Sequence, residues 1–313
     1  MRRPARPLDP PLPLVPGGTI AVLAISSPSK RDRIEAGARA LERKGYRVRI
    51  APNVDSVERR YLAGSDAARL AALNEALRDR SVDAIAFARG GYGAMRILEG
   101  VDYQALRDHP RPVIGYSDLT ALHQAIAVET GIVPFHGPML NLDFHDGLSP
   151  GSEVWFSAML AGQAPLTHAF DPRQVLAHGR AEGILFGGCL SLTSALLDTR
   201  WDYWLDGGIW FWEDVDEPVY RIDRMLTTLR LSGRFRSIQG VMIGRLKDCG
   251  EESELGILLS EFFSDLGIPV VRDLPFGHHG DNLLLPIGRP VRLDTAAATI
   301  EFPEPAVRTG ARS

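Results

Sequence analysis

The chain has 313 residues, and its 35 lysine and arginine residues against 39 aspartate and glutamate residues leave a formal net charge of −4. At about 150 residues per domain this length corresponds to roughly two domains, enough to bury a core without disulfide bonds. The weak negative charge gives no electrostatic reason to expect nucleic acid or an anionic membrane as a partner.

A proline-rich lead-in, residues 1–17, comes first, and we expect it to be flexible or extended. It has no apolar core of signal-peptide length, and no stretch of the chain is long and apolar enough to span a membrane. Two cysteines, Cys189 and Cys249, cannot form a disulfide framework, which favours a reducing compartment. We therefore expect a cytoplasmic protein without a membrane partner.

Strand and helix patterns alternate over residues 18–145, which we interpret as the N-terminal domain. The apolar runs 19–25 and 83–88 are typical of strands buried on both faces. Helices are predicted between the strands, one of them capped by Ser65 and another over residues 94–106. This βα order predicts an α/β fold with a mostly parallel sheet.

Turn-forming residues interrupt the periodicity over residues 146–180, which we interpret as a linker. Residues 181–313 then form a second, mixed α/β domain in this interpretation. Its predicted strands include GILFGG, GGIWFW and IQGVMIGRL, and its predicted helices are YRIDRMLTTLRLSG and ESELGILLSEFFSDLG.

Two unusual loops follow predicted strands of the first domain, ARGGYGA after residues 83–88 and YSD after PVIG. In open parallel sheets, ligands bind at the carboxyl ends of the strands, so the loops meet at one edge if the strands are neighbours. Ser117, between a strand and a helix, is either a helix cap or a nucleophile. An N–H group of the glycine loop, which contains Gly90, Gly91 and Gly93, would then form an oxyanion hole with the N–H of Asp118. A dinucleotide fingerprint is excluded because its third glycine is replaced by Arg96.

A serine nucleophile needs a base, usually a histidine oriented by a carboxylate. His278 and His279 lie in the glycine-flanked loop LPFGHHGDN and are candidates for this base. The alternatives are that the loop is only a polar connection or that the two histidines and Asp281 bind a metal, for which the spacing is a weak match. Glu213 ends the strand pattern GGIWFW and stands closest to it among the neighbouring acids. From the residues alone, a serine, glutamate and histidine set is a hypothesis, and the choice between the two histidines stays open.

Seven segments of the chain, in order, resemble the LD-carboxypeptidase family of serine peptidases, which includes muramoyltetrapeptide carboxypeptidases and microcin-immunity peptidases. The resemblance extends from about Gly18 to Gly288. The segments are RGGYGAMRIL, VIGYSDLTALH, FHGPM, GGCLSLTSALLDT, WEDVDEPVYRIDRML, GVMIGR and PFGHHGDNLLLPIG.

The resemblance implies a catalytic triad of Ser117, Glu213 and His278. With this triad we choose Gly91 as the loop residue whose N–H would hold the oxyanion together with that of Asp118. It implies a Rossmann-like N-terminal domain with the nucleophile and a smaller C-terminal domain with the glutamate and histidine, the active site lying between them. The implied enzyme needs no metal or cofactor, is cytoplasmic and homodimeric, and takes a small peptide with a C-terminal D-amino acid as its partner. Its implied reaction releases D-alanine from a murein tetrapeptide during cell-wall recycling.

Three further residues are candidates for substrate binding. Arg89, beside the glycine loop, either grips the terminal carboxylate of the peptide or forms an ordinary ion pair. Cys189 stands where some relatives have asparagine, and Glu217 stands where the microcin-immunity branch has lysine, which favours the murein-type branch. The alternatives are an amide hydrolase of peptidyl- or aminoacyl-nucleotide conjugates and a non-catalytic peptide-binding protein.

Overall fold

The computed structural model describes residues 3–278 and 280–309. Strands and helices alternate along the first half of the chain, as the sequence predicts. In chain order they are β1 (Arg3–Pro4), β2 (Thr19–Leu23), α1 (Arg31–Arg43), β3 (Arg47–Ile50), α2 (Asp66–Arg78), β4 (Ala84–Phe87), α3 (Tyr103–Asp108), β5 (Val113–Gly115), α4 (Leu119–Thr130), β6 (Phe135–His136) and α5 (Pro150–Leu160).

The second half is richer in strands. In chain order its elements are β7 (Leu166–Ala169), β8 (Val175–Ala177), β9 (Arg180–Cys189), α6 (Leu190–Ala195), β10 (Leu205–Asp206), β11 (Ile209–Val215), α7 (Val219–Leu231), β12 (Gly240–Lys247), α8 (Glu252–Phe263), β13 (Val270–Leu274), β14 (Leu285–Pro286), β15 (Pro290–Asp294) and β16 (Thr299–Phe302).

The first sheet has the strand order β14-β6-β5-β4-β2-β3. Its pairs are parallel except for β14, which joins β6 antiparallel at one edge. Along β2, Ile20 and Val22 pack into one hydrophobic cluster, while Ala21 and Leu23 pack into another. Since successive side chains of a strand point to opposite faces, the sheet is buried on both sides. The predicted parallel α/β domain is confirmed.

The second sheet has the strand order β7-β16-β15-β9-β11-β12-β13-β8. Its four central strands, β9, β11, β12 and β13, run parallel to one another. The outer strands, which are β15, β16 and β7 on one side and β8 on the other, are antiparallel to their neighbours. In the middle, β11 carries Trp210 and Trp212, which are fully buried and stack with ring centroids 5.7 Å apart. This packing fixes the strand whose end carries Glu213.

Two segments differ from the sequence prediction in detail. The single helix expected over residues 94–106 is instead a 3₁₀ helix, Ala94–Gly100, followed by α3. The break occurs because the Asp102 side chain accepts a hydrogen bond from the Ala105 N–H and so starts a new helix. Residues 146–180, interpreted as a linker, contain α5, β7 and β8, and the two strands form the outer edges of the second sheet. The domain boundaries themselves stay a prediction.

The described part of the proline-rich lead-in is extended and touches both halves of the chain. Within it, β1 pairs with β10, the Leu8 N–H donates to the Gly288 carbonyl, and the Asp9 N–H donates to the Gly131 carbonyl. Leu14 has no exposed surface, and its N–H donates to the Leu160 carbonyl. We name residues 3–17 the N-terminal strap. Within the described residues, no helix combines the length and the apolar character needed to cross a membrane.

We expect Leu14→Ala to lower the free energy of unfolding by about 2–5 kcal/mol, because it leaves a cavity under the strap. Denaturant unfolding followed by tryptophan fluorescence measures the loss. The matched control is Val15→Ala, since the Val15 side chain is 42% exposed, and its change should stay within about 0.5 kcal/mol. Equal, small losses in both variants would contradict a stabilising role for the strap.

Candidate active site

Ser117 lies in the two-residue connection between β5 and the residue that precedes α4, and its backbone is left-handed with a φ of +62°. This region costs a non-glycine residue about 1–3 kcal/mol, and such strain is typical of functional sites. The serine is partly exposed although its neighbours Tyr116 and Asp118 are buried. A strained strand-to-helix turn of this kind presents the hydroxyl at the edge of the sheet.

The glycine loop packs directly against this serine. The neighbouring strands β4 and β5 are hydrogen-bonded in parallel, which is the condition under which the two loops were predicted to meet. A Cβ added at Gly90 would lie 2.7 Å from Ser117 Cβ and 2.9 Å from Ser117 Oγ. A side chain at position 90 would therefore displace the serine.

The predicted oxyanion donors, Gly91 and Asp118, flank Ser117 in this arrangement. Within residues 3–278 and 280–309, neither backbone N–H has a hydrogen-bond acceptor, so both are free to bind a ligand oxygen. Gly91 has a φ of +111°, and a Cβ there would come within 2.1 Å of Ser27 Oγ. The oxyanion role of the two groups stays a prediction.

The Asp118 side chain has a structural task that the sequence did not reveal. Its buried carboxylate accepts hydrogen bonds from Ser26 Oγ at 2.6 Å and from the Ala94 N–H at 2.8 Å. Burial raises the pKa of this carboxyl, although the two hydrogen bonds oppose the rise. Asp118 thus ties the glycine loop to the beginning of α4.

Glu213 and His278 form a buried pair on the second sheet. Glu213 lies near the carboxyl end of β11 with no exposed surface, and its Oε2 is 2.6 Å from His278 Nδ1 and 3.3 Å from the His278 backbone N. A Cβ at Gly277, where φ is +92°, would lie 2.5 Å from the same oxygen. The chain therefore needs glycine before His278 in order to approach the carboxylate.

Charge stabilises this pair in its ionic form. Burial would raise the pKa of Glu213, but the charge and hydrogen bonds of His278 outweigh it, and the pKa is lowered. Burial would lower the pKa of His278, but the Glu213 carboxylate outweighs it, and the pKa is raised above 6.5. Each group therefore favours the charged form of the other.

Tyr116 connects the surroundings of His278 with those of Ser117. The Tyr116 ring packs edge-on against the His278 ring with centroids 4.9 Å apart, and Tyr116 directly precedes Ser117. The Glu213–His278 pair thus lies against the residue that precedes Ser117, although the serine follows a strand of the first sheet and Glu213 belongs to the second. Ser117 Oγ forms no hydrogen bond to another described residue. His279 lies outside the described residues.

A polar network that the sequence analysis missed supports the histidine loop. Asp143 accepts from the Met139 N–H at 2.8 Å and from Asn282 Nδ2 at 3.2 Å, while Asn282 Oδ1 accepts from the Gly277 N–H at 3.1 Å. Burial raises the pKa of Asp143 to about 6, although these hydrogen bonds oppose the rise. Asp143 and Asn282 are 139 positions apart in the chain, so no local sequence pattern indicates that they interact.

His136 is a second missed residue. It is fully buried at the edge of β6, and its ring lies 5.7 Å from the Tyr116 ring and 5.1 Å from the Phe211 ring, centroid to centroid. Burial lowers the pKa of His136 to about 4, so the ring is neutral near pH 7. In the sequence, His136 is noticeable only as part of FHGPM, one of the seven segments that resemble the family.

The three predicted substrate-binding residues lie in different surroundings. Arg89 is partly buried and lines a cavity beside the glycine loop. Cys189 is 2% exposed, with its Sγ 3.2 Å from Ser191 Oγ and 3.4 Å from Asp214 Oδ1, and burial raises the pKa of its thiol. Their roles, like that of Glu217, stay predictions.

Glu217 is partly buried at the start of α7, where its Oε2 lies 3.5 Å from Arg221 Nη1. The structure therefore gives this acid, which precedes α7, an ion-pair partner on that helix. In the part of the chain that the structure describes, no group of three histidine, cysteine, aspartate or glutamate side chains is arranged to hold a metal ion.

Comparison with known proteins assigns a family to both halves. Residues 20–137 match the LD-carboxypeptidase N-terminal domain, and residues 182–293 match the LD-carboxypeptidase C-terminal domain. A Bacillus subtilis protein named as a probable murein peptide carboxypeptidase is 35% identical over 290 residues, covering 90% of this chain and 91% of the relative.

Two solved structures have the same fold as this chain. The muramoyltetrapeptide carboxypeptidase from Oxalobacter formigenes is 29% identical, with a TM-score of 0.82 over 93% of this chain and 100% of that one. MccF in complex with glutamyl sulfamoyl guanosine has a TM-score of 0.87 at 23% identity, over 96% of this chain and 99% of that one, a likeness of fold alone. Because the two family matches together cover more than half of the chain and the Bacillus relative is 35% identical over 90% of it, the chain belongs to the LD-carboxypeptidase family.

Proposed function

We propose that this chain is a serine carboxypeptidase that hydrolyses the bond between an L-centre and a C-terminal D-amino acid, releasing D-alanine from a murein tetrapeptide. The observation that carries the proposal is the buried Glu213–His278 pair at 2.6 Å, held beside the strained turn of Ser117. The names of the Bacillus and Oxalobacter relatives support the choice of substrate.

The proposed mechanism assigns one task to each group. Ser117 Oγ attacks the scissile carbonyl while His278 Nε2 accepts its proton, and Glu213 stabilises the resulting imidazolium. The N–H groups of Gly91 and Asp118 donate to the developing oxyanion. His278 then returns the proton to the leaving D-amino acid, and a water molecule hydrolyses the acyl-enzyme by the same steps.

A carboxypeptidase must also bind the free carboxylate of its substrate. We assign this task to Arg89, which precedes the glycine loop and has no acidic partner among the described residues. An arginine binds a carboxylate through two parallel hydrogen bonds, which fixes orientation as well as charge. In this proposal the enzyme uses no metal or cofactor and acts in the cytoplasm as a homodimer, as the family resemblance implies.

A second candidate is hydrolysis of aminoacyl-nucleotide amides, because the fold is also that of MccF. At Glu217, an acid stands where the microcin-immunity branch carries lysine, and an acid repels the phosphate-like part of such a conjugate. The murein-type reaction is therefore the stronger proposal.

The main test is D-alanine release from a sugar-free murein tetrapeptide in the presence of a metal chelator. We expect release by the wild type, and a loss on the order of 10⁴–10⁶-fold in kcat for Ser117→Ala, because the variant has no nucleophile. The matched control is Ser194→Ala, which removes a hydroxyl from α6 that has no described partner; it should retain full activity.

Absence of release by folded wild-type protein would overturn the murein assignment. Release that stops only when chelator is added would overturn the metal-free mechanism. Hydrolysis of an aminoacyl-sulfamoyl nucleoside, with none of the tetrapeptide, would favour the second candidate.

The pH dependence tests the roles of Glu213 and His278. The base must be neutral, so kcat/KM should fall as the pH drops through the pKa of His278, which the Glu213 carboxylate raises above 6.5. In Glu213→Gln the carboxylate is gone and burial remains, so the pKa of His278, followed by histidine NMR, should decrease. Activity should fall on the order of 10⁴-fold.

The control for this pair is Asp216→Asn, which neutralises an exposed acid whose left-handed backbone asparagine tolerates. It should leave both the pKa of His278 and the activity near wild type. An unchanged pKa of His278 in Glu213→Gln would contradict the proposed pairing.

Gly90→Ala tests the packing of the glycine loop against the nucleophile. The added methyl group would lie 2.7 Å from Ser117 Cβ, and a displacement of the serine by about 1 Å should cost about 10²-fold in kcat. Gly151→Ala, where the new Cβ meets only Ser149 Oγ at 3.8 Å, should remain fully active. Equal activity of the two variants would show that the contact with Gly90 is not needed.

A further inference from the structure

A cavity of about 690 Å³ opens beside the glycine loop. Ser27 and Arg89 belong to its wall, and Ser27 packs against Gly91, while Gly90 packs against Ser117. The cavity therefore borders the loop that touches the nucleophile. Its volume is typical of sites for ligands larger than one amino acid, whereas the released D-alanine is a single small residue.

The wall of this cavity is positively charged. Lys30, Arg33, Arg60 and Arg89 contribute to it. Arg33 is paired with an acid, since its Nη2 lies 3.1 Å from Asp146 Oδ1. Within the described residues, no ion pair neutralises the other three cations.

The acid in the same wall, Asp55, does not neutralise these cations. Its Oδ2 lies 2.7 Å from Arg31 Nε, outside the cavity lining. The chain as a whole has a net charge of −4, so three unpaired cations around one cavity do not follow from composition. Such a cluster attracts and orients an anionic ligand.

The backbone holds Arg60 in place. Glu58 and Leu62 exchange two backbone hydrogen bonds, of 2.8 Å and 2.9 Å, and the chain between them turns with φ of +51° at Arg59 and +65° at Arg60. Two successive non-glycine residues in the left-handed region are unfavourable, and such strain persists only where the surroundings enforce it. The turn also presents the Tyr61 side chain.

Apolar side chains share the cavity with the cations. Val57 is 65% exposed, Tyr61 45% and Leu142 38%, and all three line it. Large apolar side chains exposed together around a cavity mark a binding surface. The ligand that fits has an aliphatic body and more than one negative group.

We propose that this cavity selects acidic peptides by binding a second carboxylate, one on the residues that precede the scissile bond, through Lys30 and Arg60. Arg89 remains the partner of the terminal carboxylate. This inference rests on the proposed function and assigns two specificity-determining residues to the same site, Lys30 and Arg60, which distinguish a peptide with a further acidic group before the scissile bond from its amidated counterpart.

The test compares two substrates that differ only in the charge of the residues before the scissile bond. Both are tetrapeptides with a free terminal carboxylate, and in one of them the acidic groups before the scissile bond are converted to amides. For the wild type we expect kcat/KM to be about two- to fivefold higher on the acidic peptide, the range of exposed charge pairs. This advantage should shrink as the ionic strength increases.

The variant to compare is Lys30→Gln combined with Arg60→Asn, since asparagine tolerates the left-handed backbone of position 60. This double variant should cleave the acidic peptide with the same kcat/KM as the amidated peptide. Its kcat/KM on the amidated peptide should equal that of the wild type. Arg60→Lys should keep most of the preference, because it keeps the charge. Arg39→Gln, an exposed cation of α1 outside the cavity lining, should keep all of it.

Equal wild-type rates on the two peptides, with D-alanine released from both, would overturn this inference and leave the proposed function intact. A loss of activity by the double variant on both peptides alike would also overturn it. Inhibition of the wild type by adenosine monophosphate, combined with equal rates on the two peptides, would overturn the carboxylate proposal and show that the cavity binds a phosphate group. No release from either peptide would overturn the proposed function and this inference with it.

Discussion

The carboxylate of Glu213 has no exposed surface, and a buried charge without a partner costs several kcal/mol. His278 provides the partner twice, through Nδ1 and through its backbone N–H. An ionised carboxylate only accepts hydrogen bonds, so Nδ1 carries a proton and Nε2 is the atom left to act as a base. Burial of one side chain thus determines the position, the tautomer and the basicity of another.

In the proposed mechanism this pair acts only if the two halves of the chain are held together beside it. On one side, the Cys189 N–H donates to Thr120 Oγ1, which joins the end of β9 to the first turn of α4. On the other side, Asn282 connects Asp143 with Gly277. The junction between the halves is therefore fixed on both flanks of the nucleophile by buried polar groups, whose partners are demanding in distance and direction.

Local sequence patterns predicted the parts of the fold that depend on neighbouring residues. The Ser65 cap is present, with Ser65 Oγ accepting from the Ala68 N–H at 3.1 Å, and the predicted strand neighbours β4 and β5 do pair. Ser117 was recognisable because a strand pattern changes to a helix pattern across it. These features depend on a few consecutive residues, so a single sequence suffices to reveal them.

Other features depend on residues far apart in the chain, and the sequence concealed them. Asp143 and Asn282 are 139 positions apart, and nothing near either residue indicates the other. The sequence around His136 gives no sign of its ring contacts with Tyr116 and Phe211, which are visible only in the structure. From the sequence, residues 146–180 are interpreted as a linker because they are rich in turn formers, but they contain α5 and two short edge strands whose partners lie elsewhere in the chain.

The strand order also governs when the first half of the protein can be completed during synthesis. The edge of its sheet is β14, and the strap at the N-terminus binds Gly288 and pairs with β10. Both partners leave the ribosome long after the nucleophile has been made. The emerging N-terminal half therefore carries an unpaired sheet edge at β6 and an undocked strap until residues 285–288 have been made, and unpaired edges of this kind expose nascent chains to aggregation.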